Sequence, residues 1–143
     1  MSFESGPYVQ AACFCEMALR DTTGALSLIR IIDTITHVVR GPSAPDTMPP
    51  LAHQLTLVLM LKSGQAIGRH DLKLVPELPS GETGHPTTLS VHFEGEEKGH
   101  ELVVNMPFVF RHEGLYWFNI YLDDEKLTAV PMRVRYSRMS VAQ

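Results

Sequence analysis

The chain consists of short runs rich in apolar and β-branched residues, separated by turn residues. In Thr88–Glu94 the apolar Leu89, Val91 and Phe93 alternate with polar residues, which is the period of a strand with one buried face. The other predicted strands are Tyr8–Leu19, Leu26–Val39, His53–Lys62, Ile67–Leu78, Leu102–Arg111, Leu115–Asp123 and Lys126–Tyr136. About eight strands at this spacing, with no convincing helical pattern, predict an all-β sandwich or barrel.

The run Leu26–Val39 is ambiguous, because its apolar residues also fit the stripe of an amphipathic helix. Eight of its 14 residues are β-branched. Such residues favour a strand, here one that is bent or bulged in the middle.

Turn residues suggest how the strands connect. Ser63-Gly64 predicts a hairpin between His53–Lys62 and Ile67–Leu78, and Asp124-Glu125 predicts a last hairpin. The two long loops, Arg40–Ala52 and Pro79–Thr87, are rich in Pro or Gly. Since Pro interrupts strand ladders, we expect these loops to be the connections that cross between sheets.

One local pattern favours an immunoglobulin-like antiparallel β-sandwich of about seven to nine strands. Gly114 stands two residues before Tyr116 at the start of an aromatic strand, as in a tyrosine corner, where the phenol hydroxyl bonds to the upstream backbone. The position two residues after Tyr116, which is often Cys in antibody domains, is occupied by Phe118. The pattern therefore predicts the corner, a structural role for Gly114 and Tyr116, but no disulfide.

A length of 143 residues is that of one domain, here residues 1–143, with residues 1–6 and 137–143 expected to be frayed. The start of the chain lacks the pattern of a signal peptide, and the apolar run Leu55–Leu61 is too short to cross a bilayer. Cys13 and Cys15 form no disulfide framework. We therefore expect a cytoplasmic protein with no membrane partner.

No motif in the chain predicts chemistry. The seven histidines lack the spacing of zinc ligands, the single C-x-C has no second half, and nucleophile-elbow, dinucleotide and P-loop motifs are absent. We accordingly assign no catalytic, cofactor or metal residue. An enzyme with an unrecognised site stays as a minor alternative.

Charge is unevenly distributed over a chain whose net charge is -4, which makes nucleic acid an unlikely main partner. Residues 94–125 contain eight acids and two bases, and residues 126–143 contain four bases and no acid. Arg133 and Arg135 share one face of the last strand. They either pair with acids across the sheet or form an edge that recognises an acidic partner.

The leading functional hypothesis is a non-enzymatic binding or assembly module that acts through sheet edges or loops, with a protein partner or a second copy of itself as a homodimer. The alternative is a small-ligand or carbohydrate-binding sandwich in which Trp117, Tyr121 or His92 would line a platform. The candidate interaction residues are thus Arg133, Arg135, Trp117, Tyr121 and His92.

Both ends of the chain carry segments that resemble a family. These segments are Ala12-Cys13-Phe14-Cys15-Glu16, Gly24-Ala25-Leu26-Ser27-Leu28-Ile29, Asp33-Thr34-Ile35, the stretch from Glu113 to Asp123, and Val130-Pro131-Met132-Arg133-Val134. Together they resemble a bacterial family of small uncharacterised proteins. The resemblance implies a single cytoplasmic β-sandwich domain with no assigned activity, and it supplies no catalytic residues.

Overall fold

The computed structural model describes residues 5–139, and this part of the chain forms nine strands and no helix. The strands are β1 (Tyr8–Arg20), β2 (Leu26–Ile32), β3 (Thr34–Arg40), β4 (Leu51–Lys62), β5 (Ile67–Glu77), β6 (Thr87–Glu94), β7 (Gly99–Phe110), β8 (Gly114–Leu122) and β9 (Glu125–Met139). One sheet has the order β2-β1-β4-β7 and the other the order β3-β9-β8-β5-β6. The all-β class is confirmed, and within residues 5–139 there is no helix that could cross a membrane.

The chain ends are described only in part. Residues 1–4 and 140–143, which belong to the ends expected to be frayed, lie outside the described residues. β9 continues to Met139, whose register partner in β3 is Arg40.

The core lies between the two sheets and is formed by every second residue of most strands. In β4 the inward residues Leu55, Leu57, Leu59 and Leu61 are almost completely buried. Aromatic rings from both sheets meet there, for example Phe14 and Phe118 at 5.0 Å in an edge-to-face contact. Alternating burial of this kind provides most of the free energy that holds two sheets together.

The ambiguous run Leu26–Val39 divides between the two sheets. Its first half is β2, antiparallel to β1, and its second half is β3, parallel to β9. At the junction the Arg133 N–H donates to the Asp33 carbonyl at 2.9 Å, which begins the parallel pairing. The predicted bend is present, but it changes the sheet to which the chain belongs, so one predicted strand is two.

Two predicted connections are wrong. β4 and β5 are not a hairpin, because β4 has β1 and β7 as neighbours while β5 lies in the other sheet between β6 and β8. The loop after Pro79 does not cross between sheets, because it joins the adjacent strands β5 and β6. The Pro-rich loop after Arg40 does cross, as expected, from β3 to β4.

The last hairpin, β8–β9, is confirmed. Its turn residues are Asp123 and Asp124, one position earlier than predicted, with φ of 48° and 68°. Positive φ at both central residues is the type I′ geometry, whose twist matches that of two antiparallel strands.

The second half of β1 folds back on its own sheet. Pairing of β1 with β4 ends at Cys15, yet the Arg20 guanidinium forms a 3.0 Å salt bridge with Glu101 of β7. Glu101 is the register partner of Met60 in β4, and Met60 is the register partner of Ala11 in β1, so these three residues form one row across the sheet. A straight β1 would carry Arg20 about 30 Å away from that row. Residues 16–30, which we call the folded-back hairpin, must therefore turn towards β7.

The folded-back hairpin covers the outer face of the four-stranded sheet, because the inner face is filled by the core. Val58 points outward, between the core residues Leu57 and Leu59, yet it is only 1% exposed. Cys15, also on the outer face, is buried as well. The burial of both side chains is what a hairpin folded over this face would produce.

If the hairpin covers Val58, truncation of this side chain should behave as a core substitution. We expect Val58→Ala to lower the free energy of unfolding by about 2 kcal/mol. Val109→Ala, at a 44% exposed outer-face position of β7, is the matched control and should cost less than about 0.5 kcal/mol. Urea denaturation measures both, and equal losses would contradict the folded-back position of the hairpin.

Candidate interaction surface

The outer face of the five-stranded sheet carries all the residues that the sequence singled out for binding. Arg133 and Arg135 lie on β9, Trp117 and Tyr121 on β8, and His92 on β6. Each has sequence neighbours that are buried on the core side, so each points outward. The sheet therefore gathers residues from 92 to 135 on one surface.

Two cations that the sequence analysis did not select lie on the same surface. Lys73 of β5 is the register partner of Tyr121, and Arg69 of β5 is the register partner of His92. Neighbouring strands lie about 4.8 Å apart, so these side chains are adjacent. We call this surface the basic face, and its residues are Arg69, Lys73, His92, Trp117, Tyr121, Arg133 and Arg135.

Arg133 and Arg135 are exposed, and within residues 5–139 neither forms an ion pair. The expected pairing with acids across the sheet is therefore not seen there. The expectation of a basic edge is wrong, because β9 lies between β3 and β8 rather than at the end of the sheet. The two arginines belong to a sheet face and are free to bind an anion.

The cations of the basic face lie in two groups. Arg133 and Arg135 are beside Leu115, whereas Lys73 and Arg69 lie six or more residues further along the sheet, about 20 Å away. Asp71 and Glu77 of β5 are outward carboxylates of the same face, and the Glu113 carboxylate accepts from the Tyr136 N–H at 2.9 Å, next to Arg135. Glu94, at the end of β6, is already paired with Lys98 at 3.0 Å. An anion bound beside Trp117 therefore interacts with Arg133 and Arg135 and not with all four cations.

Trp117 is 37% exposed beside this charge, with Pro131 of β9 and Glu77 of β5 as its register partners. Leu115, two residues before Trp117 on the same face, is the partner of Arg133. A large ring beside free guanidinium groups is a common composition for the centre of a protein interface.

The start of β8 is fixed by Tyr116, whose hydroxyl donates to the His112 carbonyl at 2.7 Å and accepts from the His112 N–H at 3.2 Å. This is the hydrogen bonding of a tyrosine corner. Gly114 has φ of 134°, and a Cβ there would lie 2.8 Å from the side chain of Pro79. Only glycine fits this approach, so Gly114 and Tyr116 together hold the strand that presents Trp117.

His70 lies at the turn end of the sheet, where both ring nitrogens have partners. Its Nδ1 is 2.5 Å from the Asp123 carboxylate and its Nε2 is 3.2 Å from the Ile67 carbonyl. The hydrogen bond to Asp123 raises the pKa of His70. The pKa of Asp123 is lowered, first by the Asp71 backbone and then by His70. The pair ties β5 to the β8–β9 turn.

The remaining candidate ligands are dispersed. In the part of the chain that the structure describes, no three His, Cys, Asp or Glu side chains are arranged to hold a metal ion. Cys13 and Cys15 are free thiols whose pKa values are raised, mainly by burial. A raised pKa keeps a thiol protonated and unreactive at neutral pH.

A cleft of about 270 Å³ lies where β2 leaves its sheet. Phe14, Ile32 and Leu55 supply apolar walls, and Glu16 and Arg30 supply a loose 3.3 Å ion pair. No residue of the basic face lines it. The sequence did not reveal this cleft, because it exists only through the change of sheet at Asp33.

The model of a family of unknown function, DUF6941, matches residues 10–135. No curated protein matches the sequence significantly. A solved structure, an alkylpurine DNA glycosylase AlkC from Pseudomonas fluorescens bound to DNA containing an abasic site analog, is similar with 10% identity and a TM-score of 0.44. The similarity covers 68% of this chain and 27% of that chain, so the chain spans about a quarter of the length of AlkC.

The His70–Asp123 contact makes stability depend on pH. Because the pKa of folded His70 is raised, its contribution is complete below the unfolded value of about 6.5 and is lost as pH rises through the folded value. Asp123→Asn, which keeps an acceptor for the Asp71 N–H, should therefore cost more stability below about pH 6 than above about pH 8. Chemical denaturation at both pH values measures this, and a cost independent of pH would contradict it.

Proposed function

Because the chain belongs to the DUF6941 family, whose function is unknown, we propose a function from its surface. The domain is a non-enzymatic binding module that recognises an acidic, extended segment of a partner protein through the basic face. The observation that carries this proposal is the pair of exposed, unpaired arginines, Arg133 and Arg135, beside the exposed Trp117.

The spacing of the two arginines suggests the form of the ligand. Residues two apart on a strand point the same way and are about 6.6 Å apart. An extended peptide with acidic residues at alternate positions presents carboxylates at the same spacing. Arginine binds carboxylates through two parallel hydrogen bonds, which gives such a match geometric specificity.

Protein fits this surface better than nucleic acid. Binding to a phosphate backbone depends on many cations and on a basic excess. Here Asp71 and Glu77 lie among the four cations, and the chain as a whole is acidic. An acidic peptide of limited length can place its carboxylates on the arginines and avoid these two acids.

We place the fold among immunoglobulin-like sandwiches. The Tyr116 corner supports this, as does the contact of Phe118 with Phe14 between the sheets, near the position where antibody domains carry a disulfide. Two free thiols fit the reducing cytoplasm.

The cleft beside Arg30 supports a second candidate function, binding of a small ligand. Arg30 has φ of 56° within β2, and non-glycine residues with positive φ occur preferentially at functional sites. If the cleft is used, a thermal-shift screen of small carboxylates and sugars should find a ligand whose stabilisation is lost in Arg30→Ala. A screen without such a ligand would exclude this candidate.

The main proposal is tested with a synthetic peptide in which Glu and Ser alternate. Arg133→Glu should weaken its binding at least tenfold, because it replaces attraction by repulsion beside Trp117 and Arg135. The matched control is Arg111→Glu, which makes the same charge change on the exposed β7–β8 turn and should alter the affinity less than twofold. Isothermal titration calorimetry measures both.

The arrangement of charges provides a second control. A peptide of the same composition, with its Glu residues in one block, should bind more weakly than the alternating peptide. Equal binding of the two peptides, or stronger binding of single-stranded DNA or heparin that Arg133→Glu also weakens, would contradict recognition of an extended acidic segment.

A further inference from the structure

We propose that two copies of this chain associate through β2, in a two-fold antiparallel pairing that continues the four-stranded sheet from one copy into the other. The proposal concerns the sheet opposite the basic face and does not depend on the proposed function. It rests on the folded-back hairpin, which presents a free strand edge and an apolar strip together.

β2 has an unused edge. It stands at the end of its sheet, and within residues 5–139 its only strand partner is β1. The outward N–H and C=O groups of such a strand form a ready template for another strand.

One side of the pair formed by the second half of β1 and β2 is apolar and exposed. Met17 and Ile29 are register partners, Ile31 is the partner of Cys15, and Leu19 lies on the same side of β1. The exposure of the four large side chains, Met17, Leu19, Ile29 and Ile31, is between 45% and 63%. We call these four residues the apolar strip. Contiguous exposed apolar side chains of this kind mark interaction sites.

The other end strands carry features that discourage pairing along much of their length, whereas in β2 the regular edge is interrupted only at Arg30, which has φ of 56°. β7 contains Pro107, which cannot donate to a ladder, and the outward residues of β6 are Thr88, Ser90, His92 and Glu94. β3 places Thr34, Thr36, Val38 and Arg40 on its outward side, so only one of its four outward residues is apolar. β2 contains a single charged residue, Arg30.

A second copy is the occupant that this surface matches. The charge of Arg30 is already balanced by Glu16 of the same hairpin at 3.3 Å, so the strip presents no net charge for a charged partner to recognise. An apolar strip with a balanced charge pair is complementary to itself. A two-fold axis satisfies it because every contact between residue i of one copy and residue j of the other is then made twice.

The register of the pairing follows from the alternation of side chains. Opposite residues in an antiparallel pair point to the same face of the sheet, whereas neighbouring residues of one strand point to opposite faces. A two-fold axis between two neighbouring residues would place these two opposite each other, so the axis must pass through a single residue. An axis at Ile29 brings both Ile29 side chains together. The row across the interface then reads Met17, Ile29, Ile29 and Met17, and it continues the apolar strip over both copies.

Sedimentation equilibrium tests the association. Wild type should form a reversible dimer, and Ile29→Lys, which places two like charges at the axis, should raise the dissociation constant at least a hundredfold. The matched control is Val109→Lys on β7, an exposed valine outside the strip, which should change it less than threefold. Circular dichroism checks that both variants are folded.

Cross-linking tests the register. Ile29→Cys should give a disulfide-linked dimer under mild oxidation, whereas wild type and Val109→Cys should not, because Cys15 is buried, Cys13 is half-buried and Val109 lies outside the pairing. A wild type that is monomeric at the highest attainable concentration, a dimer that survives Ile29→Lys, or cross-linking through Val109→Cys in place of Ile29→Cys would each overturn the proposal.

Discussion

The architecture depends on the change of sheet at Asp33. One continuous, β-branched segment gives its first half to the four-stranded sheet and its second half to the five-stranded sheet. The hydrogen bond from the Arg133 N–H to the Asp33 carbonyl fixes the point of transfer. Both halves stay paired, so the chain crosses between layers without leaving a buried stretch of backbone unsatisfied.

The consequences of this crossing extend to every candidate surface. β3 covers the side of β9 that would otherwise be the end of its sheet, which makes Arg133 and Arg135 part of a face held between neighbouring strands. β2 is left at the end of the other sheet, where its edge and the apolar strip are available. The cleft beside Arg30 lies at the point of divergence. A strand of fixed conformation presents arginines with less loss of entropy on binding than a mobile tail would.

The sequence pattern predicted well which face of a strand each side chain lies on, but it predicted poorly which strands lie side by side. Alternation is a local property, so it placed Val91 and Phe93 inward and His92 outward, and it put Arg133 and Arg135 on one face. Which strands lie side by side depends on contacts between residues far apart in sequence. The sequence analysis therefore missed that β4 and β5 lie in different sheets, that β3 covers β9, and that Lys73 and Arg69 join the basic face. The folded-back hairpin depends on Arg20 and Glu101, a pair that no local pattern identifies.

Amide hydrogen exchange of the last part of β9 tests the crossing most directly. β8 begins at Gly114, which is the register partner of Val134. The backbone N–H groups of β9 after Val134 can therefore form strand-to-strand hydrogen bonds only with β3. The N–H of Arg133 points towards β3, where it donates to the Asp33 carbonyl. Because N–H groups alternate in direction along a strand, the N–H groups of Arg135 and Ser137 also point towards β3, whereas the N–H of Arg138 points away from it. The account predicts slow exchange at Arg135 and Ser137 and fast exchange at Arg138. Equally fast exchange at all three residues would show that β3 does not pair with β9, and would contradict it.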